Sequence, residues 1–246
     1  MNDSASTSFG NAQEKEVFVQ GVFSNIAKHY DLMNTILSFH RDAYWCRFTA
    51  EPMRLESGMT MLAVACSTGM LTKEALRQQP EIHVEALDFS PEMLTRGEER
   101  LSKDGLLDRV NLVEGDAMQL PYDANTFDCA MSAFALRNVP DIRRTLSEMK
   151  RVVKPGGRVV TLELAKPTVI GFKQLYYLYF EKILPVLGKL SKDKSSYAWL
   201  PESLRQYPHQ SKVLEFFHEV GFEEAEYHEL TGGIVAVHVG IVPEDK

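Results

Sequence analysis

From Met59 onward the sequence alternates short apolar runs with longer amphipathic ones, and that rhythm leaves little choice of architecture. A strand buried on both faces reads as a near-continuous apolar run, and parallel neighbours need a crossover between them. The alternation therefore predicts an α/β fold built on a parallel sheet. Segments 59–65, 82–88, 110–116, 127–134 and 157–164 read as strands. Segments 71–79, 91–105 and 141–157 read as helices, the second with Pro91 in its first turn and the third stopped by Pro155 and two glycines. A further helix, 212–222, ends at Gly221. Two last strands, 225–230 and 233–242, are joined by Thr231, Gly232 and Gly233 in a hairpin-like connection that makes the final strand antiparallel.

Three segments lie outside this rhythm. Residues 1–16 are rich in Ser, Asn, Thr and Gly and read as a mobile tail. Residues 17–50 are helical in pattern and are expected to cap the domain, and 166–208 is an aromatic-rich insertion, so 17–246 is expected to form a single domain.

Composition decides what such a sheet can serve. Lysine and arginine total 27 against 34 aspartates and glutamates, a net charge of -7, which excludes a nucleic-acid polymer as main ligand because phosphate binding needs a dense basic surface. Cys46, Cys66 and Cys129 form no CxxC pair, and the seven histidines form no HExxH spacing, so neither a disulfide framework nor a metal site is expected. No run reaches the roughly 18 apolar residues of a spanning helix, and no signal peptide is read, so the expected compartment is the cytoplasm. Residues 166–194 depart from the average. Six lysines there face Glu181 and Asp193, giving +4 in a segment that also holds Phe172, Tyr176, Tyr179 and Phe180. Such a stretch suits peripheral docking at an anionic membrane surface; a helix packed on the core or a homodimer contact suits it equally.

Open parallel sheets bind ligands at the carboxyl ends of their strands. Cys66, Ser67, Thr68 and Gly69 follow the first strand, Asp88 the second, and Asp116 the third. Asp88 lies 19 residues beyond Gly69, close to the spacing of about 20 at which an acid holds a ribose diol. Asp116 would then meet an exocyclic amine such as that of adenine. A helix cap is the plainer reading of Asp88, since Ser90 and Pro91 follow it. Placement of the two acids after successive strands favours the nucleoside pocket.

These residues carry a resemblance. KHYDLMN (28–34), LDFSPEML (87–94), EGDAMQLPYDANTFD (114–128), LRNVPD (136–141), WLPESLRQYP (199–208) and LTGGIVAVHVG (230–240) are similar to the ubiquinone/menaquinone biosynthesis C-methyltransferases, in order and over most of the chain. The resemblance implies a class I methyltransferase fold, a Rossmann-like seven-stranded sheet with an antiparallel last strand. It also implies S-adenosylmethionine as cofactor and a prenylated quinol as substrate; the segment 166–194 adds work at the membrane surface to that expectation, and a quinone-biosynthesis complex is a further expected partner. Thr68, Gly69, Asp88, Asp116 and Ala117 match its cofactor site, to which Cys66, Ser67, Phe89 and Ala133 belong by position, and Tyr30, Arg137 and Asn138 match positions facing the acceptor ring. Arg137 is expected to stabilise the developing phenolate; a structural salt bridge at the strand end is its other reading.

The chain departs from that pattern where the methionine end of the cofactor would lie. Ala63, Ser67 and Met70 stand where the family usually has Asp, Gly and Asp, Ala133 where Ser is usual, and Ala135 where Gly is usual. His40 and Arg41 interrupt a Ser-x-Gly-x-His-Arg pattern before Trp45. A buried ammonium left without a partner costs several kcal/mol, so the residues support a nucleoside pocket better than tight binding of the whole cofactor. The alternative function is a diverged member with weakened or lost methyl transfer, serving as a ligand-binding or partner-organising protein or catalysing another reaction.

Overall fold

A computed structural model describes residues 9–169, 174 and 194–244. Helices α1 (Ala12–Ile26), α2 (Tyr30–Leu37) and α3 (Asp42–Ala50) precede the sheet. The first half of the sheet follows as β1 (Thr60–Val64), α4 (Met70–Gln78), β2 (His83–Asp88), α5 (Pro91–Lys103) and β3 (Val110–Glu114). The second half is β4 (Phe127–Ala133), α6 (Ile142–Val152), β5 (Val153–Leu164), α7 (Lys194–Gln206), α8 (Gln210–Val220), β6 (Glu223–Leu230) and β7 (Val235–Ile241). The strands form one seven-stranded sheet in the order β3-β2-β1-β4-β5-β7-β6. β1 through β5 pair in parallel, and β7 runs antiparallel to both β5 and β6. The expected α/β sheet with its antiparallel last strand is what the chain builds.

The two faces follow from the period of a strand. Met61 and Ala63 of β1 enter one core with Trp45, Leu71, Ala75 and Leu101, under α3, α4 and α5. Leu62 and Val64 enter the other with Leu146, Met149, Val213 and Phe217, under α6 and α8. Both faces are covered, which is why these runs are apolar at every position.

Two boundaries differ from expectation in ways that matter for the fold. The helix expected over 141–157 ends at Val152, and β5 begins at Val153, whose φ of -89° and ψ of 138° are already extended. Pro155 has no N–H to donate and disfavours helix in the residue before it. Gly157 then lets β5 lie close on β4, where a Cβ would stand 2.5 Å from the carbonyl oxygen of Asp128. At the other end, α1 starts inside the segment expected as a tail. The Asn11 side chain accepts from the Glu14 N–H at 2.9 Å, and Phe9 packs edge-on against Trp199, so the chain is ordered by a cap and an aromatic contact that lie before residue 16. Residues 1–8, and 170–173 and 175–193 of the basic aromatic stretch, lie outside the described residues.

Candidate functional site

The carboxyl ends of β1, β2, β3 and β4 open into a cleft, and the sequence-predicted cofactor residues converge on it. The loop after β1 is tightly wound. Ala65, Ser67 and Gly69 all have positive φ, at 51°, 53° and 74°, and the Gly69 N–H closes the turn on the Cys66 carbonyl at 2.9 Å. Serine at 67 therefore holds a left-handed conformation that glycine takes without strain. The turn is kept by Asp88. Its Oδ2 accepts from the Ser67 N–H at 2.7 Å, and its Oδ1 accepts from the Ser90 N–H at 2.9 Å.

Asp88 is almost fully buried, and burial lifts its carboxyl to about 6, against the pull of those backbone donors. Asp116 sits in the turn after β3, with one carboxylate oxygen accepting from the Met118 N–H at 2.8 Å. Asp88, Phe89, Asp116, Ala117 and Ala133 line one cavity with about 680 Å³ of open space. Its outer wall comes from α1, through Glu16, Val19 and Phe23. Gln20 donates to the Phe89 carbonyl at 3.0 Å, and the Lys15 ammonium to the Val139 carbonyl at 2.6 Å, fastening α1 across the cleft.

A second cavity continues the first along β1. The two share Tyr30, Ala65, Ser67, Ala133 and Phe134. Cys66, Thr68, Ala63 and Met70 face the second. The Thr68 hydroxyl donates to Asp31 Oδ1 at 2.6 Å, and Asp31 also pairs with Arg100. Burial pushes the Cys66 thiol well above its ordinary value, with the Asp88 charge adding to the effect, so it stays protonated and unreactive. Burial also raises the Tyr30 phenol, although Asn34 and Ser67 hydrogen-bond to it.

The residues expected at the acceptor are not all brought there. Arg137 lines neither cavity. Its guanidinium donates to Glu163 Oε1 at 2.5 Å and to the Phe134 carbonyl at 2.8 Å, with side-chain exposures of 9% and 1% for the ion pair. The strand-end salt bridge is thus the role its geometry displays. Asn138 lines the first cavity, but its amide is spent on holding the turn, donating to Phe134 O at 3.0 Å and accepting from the Trp199 indole at 2.9 Å. Tyr30 alone of the three sits where both cavities meet. Missed from the sequence were Val19 and Phe23 of α1, whose i, i+4 spacing was a signal, and Asp42, Thr72 and Ser132, for which none existed.

Among the described residues no group of acids, histidines and cysteines could hold a metal, and no helix is long and apolar enough to cross a membrane. Solved structures match the fold over most of the chain. A putative methyltransferase in complex with the Haloferax volcanii Trm112 activator is 20% identical, with a TM-score of 0.66 over 90% of this chain and 98% of that one. An S-adenosylmethionine-dependent methyltransferase from Aquifex aeolicus is 18% identical, with a TM-score of 0.59 over 80% and 89%. Closer in sequence are proteins named demethylmenaquinone methyltransferase. The one from Oceanobacillus iheyensis is 43% identical over 94% of this chain and 98% of its own length, and that from Bacillus subtilis 43% over 92% and 97%. A family model, the ubiE/COQ5 methyltransferase family, matches residues 11–242. The chain belongs to the ubiE/COQ5 methyltransferase family.

Proposed function

We propose that this protein transfers a methyl group from S-adenosylmethionine to a ring carbon of a prenylated naphthoquinol of the demethylmenaquinol type. The observation that carries the reading is the cleft ending in Asp88, in a chain whose full-length relatives bear that enzyme's name. The branch is the menaquinone one because demethylmenaquinone methyltransferase is the name those relatives carry. The residues fit the donor: a buried carboxylate at the end of β2 suits a ribose diol, and Asp116 with Ala117 suits an adenine edge.

When bound, the donor supplies a methyl group already activated by its sulfonium, so the protein's work is alignment and charge stabilisation. Asp88 would hold the ribose. Phe23, Phe89 and Phe134 exclude water. Tyr30, a phenol at the junction of the cavities, would donate a hydrogen bond where an acceptor oxygen gains charge. Arg137 and Asn138 act as positioning residues, holding the turn at Phe134. Docking at the membrane surface belongs to the same proposal, since the acceptor is a lipid and 166–194 is basic and aromatic; equal flotation with anionic and neutral liposomes would remove that part.

The decisive assay combines the protein with S-adenosylmethionine and reduced demethylmenaquinone. A quinol heavier by one methylene, formed in step with S-adenosylhomocysteine, is the expected result. Binding of the donor by folded protein with no methylated product overturns the proposal in favour of a binding role.

A further inference from the structure

The second cavity has chemistry that the nucleoside end does not use. Among the described residues lining it, Asp42 is the one that carries a charge. It is 7% exposed, at the start of α3, and accepts a hydrogen bond from Thr35 Oγ1 at 2.8 Å. Cations on the neighbouring helices are engaged elsewhere, Arg47 with Glu74 and Arg100 with Asp31. The Cys46 thiol on the same cavity wall stays neutral, pushed up to about 12 by burial with Asp42 adding to it. One more polar group lines the same space without a partner. Thr72 Oγ1 is buried, at 1% exposure of its residue, and makes no hydrogen bond. A buried carboxylate without a cation, in one cavity with an orphaned hydroxyl, calls for a small cationic group able to hydrogen-bond both.

The cavity leads directly from the nucleoside end through Tyr30, Ser67 and Ala133. We propose that Asp42 is the counter-charge for the α-ammonium of the methyl donor, with Thr72 completing the pocket for its amino-acid end. This rests on the methyl-donor reading above. It places the carboxylate on the helical layer over the sheet, in a cavity also lined by the alanine at position 63, where β1 offers none. The amino-acid end is then gripped from α3 and the nucleoside end from β2.

Isothermal calorimetry with two ligands tests it. S-adenosylhomocysteine carries the ammonium; 5′-methylthioadenosine has the same nucleoside and sulfur but lacks it. Asp42→Asn should weaken S-adenosylhomocysteine by about 10- to 100-fold, the worth of a hydrogen bond to a charged group, and leave 5′-methylthioadenosine unchanged. An equal loss for both ligands, or a loss for neither, overturns the assignment. If Asp42→Asn does not fold, the wild-type protein is compared on S-adenosylhomocysteine and its desamino analogue. A deficit of the same size for the analogue supports the assignment, and equal affinity overturns it. Wild-type protein that binds neither nucleoside fails the methyl-donor reading itself, a result distinct from intact binding that ignores Asp42.

Discussion

Arg137 and Glu163 meet out of solvent at the end of β4, and the pair illustrates why a charge in a binding-site motif need not touch the ligand. The guanidinium bridges the Glu163 carboxylate of β5 and the carbonyl of Phe134, a residue with φ of 56° that shapes the cavity junction. Removing one partner strands the other as a buried charge, which costs about 3–5 kcal/mol. Arg137→Ala is therefore expected to lose stability on that scale in urea unfolding, with binding and turnover falling together. An Arg137→Ala protein of unchanged stability that has lost only turnover would restore the direct phenolate role. The charge and sequence position of Arg137 were legible beforehand. Its direction was not, because that depends on Glu163 lying opposite in the register of β5, a relation between strands rather than along one.

Helix α1 is the element on which access turns. It contributes Val19 and Phe23 to the nucleoside cavity and packs on α5 and α7 rather than on the sheet. Its tether is a few side-chain bonds, including Lys15 to Val139 and Gln20 to Phe89. A helix so held opens at lower free energy than the sheet, and a ligand that fills the cavity wall should close it. Hydrogen exchange across residues 12–26 is expected to slow when S-adenosylhomocysteine is added, while β1 and β4 stay equally protected. Unchanged exchange in α1 would place the ligand elsewhere. The sheet itself could be read from the chain because apolar period and glycine punctuation encode strands locally. The position of α1 could not, since Asn11, Phe9 and Trp199 cooperate across nearly two hundred residues, and neither could Asp42, which reaches its cavity only once α3 docks.

Across the whole molecule, two buried titrating groups work in opposite senses. Asp88 is lifted to about 6, so the folded state takes up a proton that the unfolded chain, near 3.8, does not, and folding gains as pH falls through 6. His238, buried between the Phe217 and Tyr227 rings with Nε2 on the Gln210 carbonyl, is lowered to about 4 from 6.5 by burial. There the unfolded chain takes up the proton, and folding loses as pH falls through 6.5. Each effect amounts to about 1 to 2 kcal/mol between pH 7 and pH 5, with opposite sign. Wild-type stability should be nearly level over that range. Asp88→Asn should lose stability on acidification and His238→Gln should gain it, both read from urea midpoints at the two pH values; parallel behaviour of the two variants would refute the cancellation.

The strand order also sets a schedule for synthesis. β7 is seventh in the chain but lies between β5 and β6, so β5 has no neighbour on one side until residues past 241 have left the ribosome. A nascent chain must therefore carry an open apolar sheet edge from β5 until β7 emerges, and β6 has nothing to pair with before then. Termination between β5 and β7 leaves a sticky five-stranded fragment in place of a smaller working enzyme, and burdens the chaperones that receive it.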